Sequence, residues 1–174
     1  MAEIRLAEPT VVDKMLEEGV ALPQLQLDMK SAEQEARELL SKLEGYDANI
    51  ADFGEGLPPI IVVRLRKAIV YIIVLDKGHI LTGTEATKIV EELKPYTEKI
   101  KEAKLNPVLI FYSRKGKLTM ASYLYLGSVI ENHGVGILFV NGDHDEIIEI
   151  LWHLENVGKY EAGEDEVVDL KSLK

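Results

Sequence analysis

Apolar residues along the chain fall into two patterns, recurrences every three or four positions and short unbroken runs, and the two alternate. Val11 to Glu18 reads as a short helix between Thr10 as N-cap and Gly19 as the stop. Gln24 to Met29 alternates apolar and polar residues, as an edge strand or extended arm does. Ala32, Ala36, Leu39, Leu40 and Leu43 then recur at helical spacing behind a Ser31/Gln34 capping-box pair, and Gly45 closes that helix. Residues 47–59, with Gly54, Gly56, Pro58 and Pro59, read as a loop. Ile60–Leu65 and Ala68–Leu75 are apolar runs suited to strands, the second buried on both faces. Asp76-Lys77-Gly78 predicts a tight turn into a short strand over His79–Thr82.

Thr84 is expected to cap a long helix marked by Ile89, Leu93, Tyr96, Ile100 and Ala103, which Pro95 is expected to kink or divide. Asn106-Pro107 ends it, and Val108–Tyr112 is another buried strand. Thr119–Glu131 is helical, Val135–Val140 is the last strand, and Asp145–Asn156 is the last long helix. A strand meander followed by strands separated by helices predicts a three-layer α/β/α domain with a central mixed sheet of about five strands. The expected division is a helix and arm over 1–30, one α/β domain over 31–158, and an acidic tail over 159–174.

At 174 residues the chain is long enough for such a core, and its lack of cysteine removes disulfides, thiolate metal sites and thiol nucleophiles. Few Asn and Gln beside many Glu, Lys, Ile and Val suit a thermophile. No apolar run reaches the roughly 18 residues of a membrane span, and Met1-Ala2-Glu3-Ile4-Arg5 lacks a signal-peptide pattern, so a cytoplasmic protein is expected. The net charge of −10 is unevenly spread: −8 over residues 1–60, +6 over 61–130 and −8 over 131–174. Nucleic-acid binding is therefore expected to be weak at best and confined to the middle third.

Three polar groups are candidates for chemistry. Asn141-Gly142-Asp143-His144-Asp145-Glu146 follows a buried strand, where α/β folds place ligands. Asp143, His144 and Asp145 have the donors for a metal, while Asp143 and Glu146 have the spacing of a helix capping box. The loop Ser113–Thr119 offers Arg114, Lys115, Lys117 and Thr119 to an anion, helped by a helix N-terminus, but lacks P-loop spacing. Arg64 and Arg66, alternating on a strand, join them if the meander folds back to the same edge. His79, His133 and His153 look isolated, and Trp152 reads as a core or interface anchor.

The element order from Ser31 to Val140 resembles the restriction-endonuclease-like superfamily, the PD-(D/E)xK nucleases. The stretches carrying the likeness are Leu43-Glu44-Gly45-Tyr46, the paired runs 68–75 and 79–82, and Asn106-Pro107-Val108-Leu109-Ile110. The family places an Asp at the start of the second meander strand and Glu-x-Lys in the third, where the carboxylates hold Mg²⁺ and the Lys orients water. At those places this chain has Val70-Tyr71 and Thr82-Gly83-Thr84-Glu85. The resemblance implies either a rearranged Mg²⁺ site of Asp76, Glu85 and Lys88, or a relative without catalysis.

Three functions are thus open. The leading one is a non-catalytic interaction or scaffolding module without cofactor, a homodimer or a subunit of a nucleic-acid-processing assembly. The second is a divergent Mg²⁺-dependent nuclease. The third is a small-ligand sensor using loops 82–85, 113–119 and 141–145.

Overall fold

Helix α1 (Met29–Ser41) begins where Asp28 turns its carboxylate to the Ser31 N–H at 3.2 Å. The helix therefore starts before the cap predicted at Ser31, and Met29 is helical rather than the end of an arm. The computed structural model describes residues 28–54 and 56–157; the helix expected over 11–18, the arm up to Leu27 and the tail over 159–174 lie outside them. Strand β1 (Asp47–Ala51) occupies what reads as loop. Its one large apolar side chain, Ile50, is exposed, so it has no buried alternation for a sequence pattern to report. Then come β2 (Ile60–Arg64), β3 (Ala68–Val74), the two-residue β4 (Ile80–Leu81) and α2 (Gly83–Glu102). They are followed by β5 (Asn106–Tyr112), β6 (Lys117–Leu118), α3 (Met120–His133), β7 (Gly136–Val140) and α4 (His144–Val157).

The main sheet has the order β1-β2-β3-β5-β7. β2 is antiparallel to β1 and β3, whereas β3, β5 and β7 are parallel. This is the mixed five-stranded sheet the pattern predicts, with one correction. The meander is β1-β2-β3, one strand earlier than expected, because β4 leaves the sheet and pairs in parallel with β6.

Residues in register share a sheet face, so Tyr71 and Leu109 point one way and Ile72, Ile110 and Leu138 the other. The Tyr71 face is covered by α2 and α3; Phe53 packs its ring between Tyr71 and Tyr96 at 5.2 and 4.7 Å. The opposite face, which includes Tyr112, is covered by α1 and α4. Between the layers, β3, β5 and β7 are apolar and buried almost throughout, as a sheet covered on both sides requires.

Pro95 does not divide α2, which is continuous through it. The donor it lacks would serve Glu91, and both residues lie on the exposed face, where water reaches that carbonyl. No helix among the described residues is long and apolar enough to cross a membrane.

Candidate functional site

The parallel strands end together on one edge, and their C-terminal extensions carry most of the polar chemistry. After β3 the chain turns at Asp76-Lys77-Gly78. The turn is tied to the next strand by Gly78 N–H to the Arg114 carbonyl at 2.7 Å and by the Ser113 hydroxyl to the Asp76 carbonyl at 2.8 Å. The turn delivers His79 into the protein, 7% exposed. Its Nε2 lies 2.8 Å from Glu85 Oε1 and its Nδ1 lies 3.3 Å from Asp76 Oδ1, the latter out of hydrogen-bond alignment. Glu85 is held by the capping box of α2, in which Thr82 and not the expected Thr84 is the N-cap, since the helix already begins at Gly83. Burial by itself disfavours the imidazolium, but the hydrogen bond and charge of Glu85, with Asp76 behind it, outweigh burial and raise the His79 pKa. His79 is therefore not isolated. Asp76 and Glu85 flank the histidine from its two ring nitrogens, Glu85 within hydrogen-bond distance and Asp76 just beyond good alignment.

Lys88 does not join them. Its Nζ lies beside Gly56, 3.2 Å from where a Cβ would stand.

One strand over, Arg114 extends from β5 and its Nη2 reaches Glu35 Oε2 of α1 at 2.6 Å. His144 opens α4 beneath Tyr112, whose ring centroid is 6.0 Å away and whose hydroxyl donates to the Gly142 carbonyl at 3.0 Å. Burial pushes the Tyr112 phenol well up, and the negative charge of Glu35 adds to the shift. His144 Nε2 stands 3.6 Å from Glu35 Oε1. Beside His144 is a cavity of about 180 Å³ lined by Glu38, Lys42, Arg114, Asp143, His144 and Asp145.

The basic loop is divided by these contacts. Arg114 is paired, and Thr119 is fully buried as the N-cap of α3, its Oγ1 accepting from Ser122 N–H and contacting the Leu81 carbonyl. Lys115 and Lys117 are on the surface. Arg64 and Arg66 do not converge with them. Arg64 pairs in register with Ile69 at the start of β3, whereas Arg114 follows Tyr112, which is in register with Val74 at its end. Arg66 instead binds α4, its Nη2 donating to the Glu155 carbonyl at 3.1 Å and its N–H to Glu155 Oε1 at 3.0 Å. Asp143 and Asp145 are exposed, and His133 and His153 lie at the surface.

The shift of the meander also relocates the positions where the PD-(D/E)xK pattern would fall. The second strand now starts at Ile60, behind Pro58-Pro59, and the third, Ala68–Val74, is apolar throughout. Neither holds a carboxylate or a lysine. No family model, curated protein or solved structure matches the chain.

Glu35 is the residue the sequence reading passed over. It lies on the same helical stripe as Ala32, Ala36 and Leu39, and an acid in an apolar stripe is the signal that marks it. Its partners lie 79 and 109 positions away, a separation that no local spacing reports.

Proposed function

We propose that the protein is a non-catalytic interaction module that pairs with a second copy of itself through the outer face of α3. The observation that carries this is an uncharged, partly apolar face on an outer-layer helix. From Met120 to Ile130 the helix has no charged residue, whereas an outer helix is ordinarily charged on its solvent side. Leu124 is 62% exposed there and Met120 37%.

Beside this knob lies a broad groove of about 950 Å³ between α2 and α3, walled by Ala121 and Tyr125 on the α3 side and by Gly83, Thr87, Pro95 and the charged Lys88, Glu91 and Glu92 on the α2 side. Gly83 lets the helices close up, since a Cβ there would sit 3.1 Å from Ala121 Cβ. A knob and a hole on the same patch are what a two-fold symmetric contact uses. A chain of net charge −10 also repels its copy least where the contact centres on the uncharged α3 stretch, with Lys88 beside Glu91 and Glu92 at the groove's α2 wall. Helix α4, the interface suggested by Trp152, fits less well. Trp152 is 58% exposed, but Asp145 and Glu149 are exposed on the same helix.

The alternative reading as a nuclease has less support, because its proposed acids are engaged by His79 and its lysine lies elsewhere. Light scattering at micromolar concentration tests the module directly. Wild type is expected at twice the chain mass, Leu124→Glu at the chain mass with unchanged circular dichroism, and Trp152→Glu still dimeric. A monomeric wild type, or a dimer lost only with Trp152, refutes the proposed interface.

A further inference from the structure

We infer that Glu35, Glu38 and His144 form a site for one divalent transition-metal ion of the zinc type, between α1 and the start of α4. Glu35 and Glu38 are three apart on α1 and so share a helix face. One ligand atom from each of the three residues lies within 4.8 Å of the others. Acids gathered in this way are common without an ion, and the argument rests on what faces them.

His144 is 5% exposed, yet its Nε2 has no hydrogen-bond partner, and neither has the buried Glu35 Oε1 opposite. Two buried polar atoms this near each other, each without another partner, would ordinarily close to hydrogen-bond distance. They remain 3.6 Å apart. Two ligands about 2.0–2.1 Å from a tetrahedral zinc ion are themselves about 3.4 Å apart, so the spacing is close to what a shared ion requires. Arg114 takes the other oxygen, Glu35 Oε2, and thereby orients Oε1, as an outer-shell partner of a metal ligand does.

The donor set selects the class of ion. One imidazole with carboxylates suits zinc, cobalt or manganese, whereas magnesium and calcium favour oxygen alone. The four acids Glu35, Glu38, Asp143 and Asp145 outnumber the two bases Arg114 and Lys42 at the site and its cavity, a side-chain balance favourable to a cation. The adjoining cavity has room for a water ligand. Asp143 and Asp145, expected as donors alongside His144, stand at its rim. A bound ion would fasten α1 to α4 across the end of the sheet.

The test uses the untagged full chain, stripped with a chelator and titrated with Co²⁺ while visible absorption is followed. The expected result is one Co²⁺ per chain with d–d bands of low coordination number, displaced by Zn²⁺ and untouched by equimolar Mg²⁺. Glu38→Gln and His144→Gln are each expected to weaken binding at least tenfold, and Glu131→Gln, exposed on α3 across the sheet, to leave it unchanged. Glu38 is exposed, so its variant tests the site even if His144→Gln fails to fold. No bands in wild type, binding unaltered by Glu38→Gln, or displacement by equimolar Mg²⁺ would each overturn the assignment.

Discussion

His79 links the end of β3 to the first turn of α2 through two carboxylates, and its strength depends on a proton. Burial opposes the charged ring, yet Glu85 and Asp76 lift its pKa above the ordinary 6.5. A folded-state pKa above the unfolded one means the protonated form is bound more tightly on folding. The stabilisation is complete below pH about 6.5 and is lost as pH rises through the folded value. Denaturant titrations at pH steps from about 5.5 to 8.5 are therefore expected to show His79→Gln destabilised at the acid end by about 2–4 kcal/mol, with the gap to wild type narrowing upward. A gap constant with pH would mean that folding does not shift the histidine's pKa, and one that widens upward that the ring is held neutral. Gly116 makes a steric demand on the same edge. A Cβ there would collide with Ser113 Oγ and come within 2.7 Å of the His79 carbonyl, which already accepts from the Lys117 N–H. Gly116→Ala is expected to cost about 1–3 kcal/mol by thermal or chemical denaturation, through displacement of the serine that ties the two strand ends.

Among the elements, α2 shows how context alters a local rule. Pro95 withholds one backbone donor in a helix that tertiary packing stabilises through Ala86, Ile89, Leu93, Thr97 and Ile100. Pro95→Ala restores the donor and helix propensity while freeing the unfolded chain slightly, so a net gain of about 1–2 kcal/mol is expected in equilibrium unfolding. A loss would show that the ring packs against something the open face does not reveal. The helices and buried strands were legible because their periodicities reflect which side is buried. β1 was not, since Asp47–Ala51 is a half-exposed edge whose composition resembles a loop. β4 was legible as extended chain but not as a strand outside the sheet, because its partner, Lys117–Leu118, comes 37 residues later in register.

For the molecule as a whole, the arrangement of acids around histidine and arginine bears on catalysis. Incubation with single-stranded, duplex and branched DNA in Mg²⁺ or Mn²⁺ is expected to yield no cleavage above that of Asp76→Ala/Glu85→Ala. Cleavage abolished by that double substitution would favour the nuclease reading. The amino-acid sequence by itself determined the three-layer α/β class, because long apolar runs and helical stripes can bury their surfaces in few other ways. It also determined the absence of thiol chemistry and an acidic balance with a basic middle. Only the tertiary structure decided which polar residues meet. It separated Arg66 from Arg114 by the length of a strand, placed His79 between two acids, and brought Glu35 to Arg114 and His144. Periodicity reports which side of an element is buried, whereas the pairing of side chains depends on strand order and register, and those are set by contacts between residues far apart in the chain.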